Sequence, residues 1–221
     1  RTAAAVAPAT ATLEAAGATI VRASMPTAGW IGGPGTTMAV LNRNPLSPRR
    51  NEPSHWPIVF IYELKYGLNR YLRDWARGTA MQTMADIIAF NTAHADRALR
   101  FGQDLFLAAA ATRGDLSELE YRSARAMDLL AAKLRGLDAY LDGHRLDAVL
   151  FSGATGAGIA AKAGYPSVQV PGGFTAGLDG KETPDYPLGI TFCGRAWSEP
   201  TLLRLAYAYE QAAQMRKPPP L

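Results

Sequence analysis

Two short apolar runs near the carboxyl end of the chain, and the loop between them, most constrain how it can fold. Residues 167–170 and 188–193 have the length and the β-branched content of buried strands. The stretch between them is rich in Gly, Pro and Asp, which is the composition of turns and loops. After the second run Ser198 stands at a helix N-cap position, followed by Glu199 and Pro200 in the first turn. This part of the chain therefore predicts a strand, a long loop, a strand and a helix.

Two further strands are expected earlier in the chain, at residues 18–22 and 146–151. Helical patterns lie between them, including residues 58–76, a helix capped by Thr83 and a long amphipathic helix that spans 117–143. This alternation predicts an α/β fold, with a mixed β-sheet flanked by helices as an α/β/α sandwich. Four strands are few for so many helices, so we expect this chain to supply only part of the complete fold.

Residues 24–57 differ from the rest of the chain, because Pro and Gly recur throughout them. Loops longer than about 12–15 residues are unusual in compact domains unless they have a function. A lid over a substrate pocket and an ordinary excursion that covers the sheet are both open interpretations of this segment. No internal repeat or second domain is evident, so residues 1–221 are interpreted as one portion of a single domain.

Composition excludes several classes of function. The net charge is +4 and the basic residues are scattered, whereas nucleic-acid binding usually needs a stripe of Lys and Arg on one face. Cys193 is the only cysteine, so no intrachain disulfide is possible. No apolar run approaches the roughly 18 residues that a membrane span requires. We expect no nucleic-acid partner, no membrane span, no metal and no other cofactor, and the compartment is open.

The segment after the strand at 146–151 admits two interpretations. Residues 156–161 fit the G-x-G-x-x-G/A pattern of dinucleotide-binding loops. Against this, the following helix is short, and the next strand ends without an Asp or Glu to bind a ribose hydroxyl. The favoured interpretation is a ligand-binding loop at the carboxyl end of a strand, with Ser152, Gly153 and Thr155 lining a substrate pocket.

Four motifs carry a resemblance to a known family. They are AGYPSV from Ala163, VPGGF from Val170, DGKETPDYPLGITF from Asp179 and GRAWSEPTLLRLAYAYEQ from Gly194. Together they resemble the carboxyl-terminal end of the amidase signature enzymes. The resemblance continues backwards through LDAVLF, FGQDLF and TMADIIAFN to LEAAGATIV, so it covers nearly the whole chain and about half of the family's usual length.

This resemblance implies hydrolysis of a carboxamide by a nucleophilic Ser, a bridging Ser and a Lys, with the two serines in a GGSSGG-type run. The chain contains no Ser-Ser pair and no Gly-Gly-Ser run, so no catalytic residue is expected within it. The implied partners are a small-molecule amide substrate and the missing amino-terminal half, either covalently linked or as a second chain. The alternative is an isolated fragment without catalysis that serves as a binding or structural module.

The resemblance also places the corner at Phe101 and Gln103 near the acyl pocket. The Gln103 amide could donate to and accept from a substrate amide, although a helix cap is an equally good interpretation. Tyr62 is a further candidate for substrate binding, although core or rim packing is the commoner role of a tyrosine on such a helix.

Overall fold

A computed structural model of the chain describes residues 3–27, 57–174 and 186–218. The chain forms two compact units, one comprising Arg1–Ala28 and Leu129–Leu221 and the other comprising Gly29–Asp128. Most of the irregular segment predicted at 24–57 lies outside the described residues, so its interpretation as a lid or an excursion stays a prediction.

Helices and strands are numbered in chain order. The first unit contains α1 (Ala3–Ala15), a π-helix (Leu129–Asp138), α7 (Ala139–His144), β1 (Val149–Ser152), a 3-10 helix (Gly153–Gly156), α8 (Ala157–Ala163), β2 (Ser167–Phe174), β3 (Pro187–Cys193) and α9 (Glu199–Ala213). The second unit contains α2 (Ile58–Asp74), α3 (Met84–Ala93), α4 (Ala95–Ala98), α5 (Asp104–Ala110) and α6 (Leu119–Asp128).

The sheet of the first unit has the order β1-β3-β2, and both pairs are antiparallel. The predicted α/β class with a helix-flanked sheet is confirmed, although the described strands make an antiparallel sheet rather than a mixed one. The sheet packs on α1 and α9 through an apolar core, in which β3 is central because it supplies Ile190 and Phe192. Tyr209 of α9 meets the Phe192 ring edge-on, with 6.1 Å between ring centroids.

The strand expected at residues 18–22 is not formed among the described residues. A strand needs a neighbour for its backbone hydrogen bonds. Residues 19–23 and β1 are not paired, and together with α1 they line a cavity of about 450 Å³. Of this segment, Ala18 and Ile20 pack against the core, whereas Val21 is 41% exposed.

The outer edges of β1 and β2 have no strand partner in the described part of the chain. Exposed edges of this kind present unpaired backbone groups that recruit other strands. We expect residues 1–221 expressed alone to aggregate, as measured by size-exclusion chromatography with light scattering. A monodisperse chain that melts cooperatively would contradict this expectation.

The long helix predicted at 117–143 is not continuous in its helical type. In the second unit α6 begins at Leu119. The sequence predicts a capping box with Ser117 at the N-cap and Glu120 at N3. It does not form, because the Ser117 hydroxyl donates to Asp115 Oδ1 at 2.7 Å instead. The Glu120 carboxylate accepts a hydrogen bond from the hydroxyl of Tyr62. In the first unit residues 129–138 form a π-helix, which the sequence pattern did not distinguish from an α-helix.

The π-helix brings together Lys133 and Asp138, which are five residues apart. Lys133 Nζ lies 2.9 Å from Asp138 Oδ2 and 2.7 Å from the hydroxyl of Tyr165, and Tyr165 also donates to Asp138. Burial raises the pKa of Asp138, but the hydrogen bonds from Tyr165 and Lys133 and the charges of Lys133 and Arg195 outweigh it. The pKa of Asp138 is therefore held below its ordinary value of 3.8.

Replacing Asp138 by Asn is expected to lower the free energy of unfolding by about 1–2 kcal/mol at about pH 7. Because the folded-state pKa is depressed, the contribution of Asp138 is fully present above its unfolded pKa and is lost as pH falls through the folded pKa. The difference between the two proteins should therefore shrink as pH falls below about 4, measured by thermal melts across this range.

Asp142→Asn is the control, since Asp142 pairs with Arg195 on the surface, where its side chain is 72% exposed. Surface pairs contribute about 0–1 kcal/mol, so this variant should change stability little. Equal effects of the two substitutions at every pH would contradict the expectation.

The second unit is built on α2, which packs against α5 and α6. Ile61, Tyr62 and Met84 lie in its core. Thr83 caps α3 as predicted: its hydroxyl accepts from the Asp86 backbone N–H, and the Asp86 carboxylate accepts from the Thr83 backbone N–H.

Candidate functional site

The loop that follows β1 holds three of the predicted site residues, Ser152, Gly153 and Thr155. Gly153 has a φ of +55°, in the left-handed region that glycine adopts without strain, and it begins the 3-10 helix directly after the strand. The Thr155 hydroxyl donates to the Ser152 carbonyl at 2.8 Å. Gly156 lies against the Phe151 ring, where a Cβ atom would be 2.3 Å from the ring. The sequence thus folds back on itself to form a tight turn at the carboxyl end of β1.

The hydroxyl of Ser152 is the notable polar group of this loop. Ser152 is 6% exposed, and its Oγ makes no hydrogen bond within the described part of the chain. A buried polar group is nearly always hydrogen-bonded, and leaving it unpaired costs about 1–3 kcal/mol. Ser152 is paired in register with Ile190, so its side chain lies on the sheet face of the apolar core. The substrate-binding role of Ser152 stays a prediction.

Two residues on the neighbouring strands contact this loop, and neither was predicted from the sequence as a site residue. Thr191 of β3 is 5% exposed, and its Oγ1 lies 2.7 Å from the Gly153 carbonyl oxygen. The same Oγ1 lies 2.9 Å from the side-chain amide of Gln169 on β2. Each is a polar residue inside an apolar run, which could have marked it in the sequence. The strand register that brings Gln169 and Thr191 together is set by pairing across the sheet, so it cannot be predicted from either run alone.

The other three predicted site residues belong to the second unit. Phe101 is 89% exposed, and the Arg100 guanidinium lies 5.4 Å from its ring centroid. Gln103 stands before α5 but its side chain makes no cap bond: it accepts from Asn91 Nδ2 at 3.3 Å and donates to Thr92 Oγ1 at 3.1 Å. Gln103 is the N-cap residue of α5, as the helix-cap interpretation expects, but its side chain does not cap the helix, because residues of α3 engage both ends of its amide.

Tyr62 is 2% exposed in the core of the second unit. Its hydroxyl donates to Glu120 Oε2 at 2.8 Å, and its ring stacks on Tyr121 with 5.7 Å between centroids. Burial first, and then the Glu120 carboxylate, raise the pKa of Tyr62 far above its ordinary value. The hydrogen bond and the stacked ring of Tyr62 come from α6, whereas both side-chain hydrogen bonds of Gln103 come from α3. The burial of Tyr62 and its bonded hydroxyl are typical of a residue that packs in a core.

The cysteine of the chain, Cys193, is buried. Burial raises the pKa of the Cys193 thiol to about 11, which keeps it protonated at neutral pH. No group of three or more His, Cys, Asp or Glu side chains that could hold a metal occurs in the ranges the structure describes. None of the described helices is long and apolar enough to cross a membrane.

Comparison with known proteins gives consistent matches. The chain is 34% identical to a probable amidase of Arabidopsis thaliana over 164 residues, which are 73% of this chain and 30% of that protein. It is 46% identical over 57 residues to a glutamyl-tRNA(Gln) amidotransferase subunit of Rubrobacter xylanophilus, a match that covers 26% of this chain and 10% of that one. A scan against protein-family models found no match.

Solved structures with a similar fold are also amidases. The crystal structure of the native peptide amidase from Stenotrophomonas maltophilia matches 98% of this chain with a TM-score of 0.76 and 34% identity. An amidase family protein from Bacillus anthracis matches 99% of it with a TM-score of 0.70 and 25% identity. The chain spans 40% and 37% of the lengths of these two proteins. By sequence and by fold, over the region that it shares with these relatives, the chain belongs to the amidase signature family.

Proposed function

We propose that this chain forms part of an amidase that hydrolyses the C–N bond of a carboxamide to an acid and ammonia or an amine. The observation that carries the proposal is the match of 98% of the chain to a peptide amidase at 34% identity. The similarity to a probable amidase over 164 residues supports the same reaction. Because the chain spans 40% or less of these relatives, the activity is proposed for the complete protein.

The proposed mechanism uses a Ser–Ser–Lys triad whose residues lie outside these 221 positions. The nucleophilic serine attacks the amide carbonyl carbon and forms a tetrahedral intermediate. Its proton passes through the bridging serine to the lysine, and then to the leaving nitrogen as the C–N bond breaks. Water then cleaves the acyl-enzyme ester by the reverse proton path, which releases the acid and restores the serine.

The contribution of this chain is proposed to be substrate binding. Ser152, Gly153 and Thr155 form one loop at a strand end, and the unpaired buried hydroxyl of Ser152 supports a binding role for it. Phe101 supplies an exposed ring and Gln103 an amide at the corner that the family resemblance assigns to the acyl pocket. Tyr62 is the sixth proposed contact, although its hydroxyl is already bonded to Glu120.

A second candidate is a chain without catalysis that serves as a binding or structural module. The observation that favours it is the sequence itself, which contains neither a Ser-Ser pair nor a Gly-Gly-Ser run. In that case the family relationship describes ancestry and not activity.

The two candidates are separated by an intact-mass measurement followed by an assay of ammonia release from primary carboxamides. We expect the complete protein to be heavier than 23.7 kDa, or to include a second polypeptide, and to release ammonia, whereas residues 1–221 alone release none. Hydrolysis by residues 1–221 alone would refute the external triad. A complete protein that hydrolyses no carboxamide would refute the amidase proposal.

A further inference from the structure

The cavity of about 450 Å³ in the first unit is lined mainly by three segments of the chain. They are α1, residues 19–23, and the stretch from Leu146 to Leu150 that leads into β1 and forms its first half. Packed protein interiors contain few voids larger than a water molecule. A space of this size beside a core therefore indicates an occupant.

Two of these segments have backbone groups that no strand uses. β1 pairs with β3 along one edge, and its other edge has no strand partner in the described part of the chain. Residues 19–23 make no backbone-to-backbone hydrogen bond with any residue that the structure describes. Backbone groups inside a protein are nearly always paired. An extended segment in the cavity satisfies both β1 and residues 19–23.

Residues 18–21 already show the side-chain alternation of a strand. Ala18 and Ile20 pack against the core cluster of the first unit, whereas Thr19 and Val21 are exposed. A period of two is that of extended backbone. Leu150 of β1 packs against the same cluster, to which α1 also contributes, so both segments direct alternate side chains toward one shared core.

The polar side chains that line the cavity argue against a small-molecule ligand. Its volume falls within the roughly 300–1,000 Å³ of such sites, but they also present polar groups that bind the ligand. Here Thr10 donates to a carbonyl oxygen of its own helix at 2.9 Å, and Tyr140 donates to that of Ala23 at 2.7 Å. Arg22 pairs with Glu14 at 3.3 Å. These side chains are already bonded, so the feature left for recognition is the strand edge.

The length of related proteins indicates the source of the occupant. The chain matches the peptide amidase over 98% of its own length but over 40% of the length of that enzyme. We infer that a β-strand from outside residues 1–221 of the same protein fills this cavity, and that it pairs with β1 on one side and with residues 19–22 on the other. The sheet then has the order 18–22, inserted strand, β1, β3, β2. The strand expected at residues 18–22 forms when this neighbour is present.

Photo-cross-linking of the complete protein tests the inference. A photoreactive diazirine amino acid replaces Thr19, which is exposed and lines the cavity. We expect it to label a peptide from outside residues 1–221 that has apolar residues at alternate positions, identified by mass spectrometry. The matched control is the same replacement of Thr12, which lies on α1 away from the cavity lining and should not label that peptide.

Three cross-linking results would overturn the inference. Labelling of β1 would show that residues 19–22 pair with it directly. Cross-links between isotopically light and heavy copies would show that a second copy supplies the strand. The absence of any labelled peptide would show that no chain segment occupies the cavity.

Amide hydrogen exchange of the complete protein provides an independent measurement. Residues 19–22 should exchange at least about tenfold more slowly than residues 215–217, which also lie outside helices and strands, after correction for intrinsic rates. Equally rapid exchange of the two segments would contradict strand insertion, because a small molecule in the cavity would leave these amides unpaired.

The inference goes beyond the proposed function, since it requires a longer protein but no hydrolysis. An intact mass of 23.7 kDa would remove the source of the strand and overturn it. A longer protein that hydrolyses no carboxamide would refute the proposed function, and the cross-linking would still decide whether the strand is present.

Discussion

Replacing Leu202 by Ala is expected to lower the free energy of unfolding by about 3 kcal/mol, within the range of roughly 2–5 kcal/mol for buried Leu→Ala changes. Leu202 is fully buried and lies in the cluster formed by α1, β3 and α9, next to Ile190 and Phe192. Gly194 approaches it so closely that a Cβ atom there would lie 3.1 Å from Leu202 Cδ2. A backbone in contact with the side chain cannot easily collapse into the space that the substitution leaves, so the cavity remains.

The next residue provides a matched control. Leu203 has the same side chain on the same helix but is 59% exposed, so Leu203→Ala should change stability by less than about 0.5 kcal/mol. Urea denaturation of the complete protein, followed by circular dichroism, measures both variants. Equal losses at the two positions would show that α9 does not present the Leu202 face to the sheet.

Replacing Gly136 by Ala is expected to destabilise the protein by about 3 kcal/mol, at the upper end of the usual cost of overpacking. In an ordinary helix interior the same change stabilises by about 1 kcal/mol. In the π-helix, however, a Cβ atom at Gly136 would lie 2.3 Å from the carbonyl oxygen of Ala131 and 3.1 Å from Thr27 Oγ1. Thr27 is 1% exposed and donates to that same carbonyl at 2.8 Å, so neither group has free space to move into.

Gly143→Ala isolates this effect, because Gly143 lies in α7 and a Cβ atom there would contact nothing within 4 Å. The two substitutions should therefore have opposite signs, which thermal melts of the complete protein can resolve. Stabilisation by both would mean that residues 129–138 adopt an ordinary α-helix in solution.

Local sequence patterns predicted the strands, helices and turns that are determined by residues close together in the chain. The apolar runs at β2 and β3, the helix that follows Ser198 and the turn after β1 were all visible, because burial, proline and glycine act within a few residues. The Ser198 side chain nevertheless makes no cap bond, since it donates to the Arg195 carbonyl at 2.8 Å. Its position in the chain was predictable, but its partner was not.

Features that depend on distant parts of the chain could not be predicted in this way. Residues 18–22 have the composition of a strand but lack a neighbour, and strand formation depends on a neighbour. In the π-helix the Ala131 carbonyl accepts a hydrogen bond from Thr27, which is 104 positions away in the sequence. The link from Gln169 through Thr191 to Gly153 requires three chain segments in register, so the candidate site could be predicted as a loop but not as a hydrogen-bonded group.

The central place of β3 has a consequence for how sequences of this kind can change over time. Successive side chains of β3 lie on alternate faces of the sheet, in register with β1 and β2. Inserting or deleting one residue in β3 would therefore turn Thr191 to the opposite face and separate it from both Gly153 and Gln169. The connection from β1 to β2 is under no such restriction, because it leaves and re-enters the sheet through a 3-10 helix and α8. Descendants of this sequence should therefore accumulate length differences in that connection and in the link before β3, while β3 itself changes only by substitution.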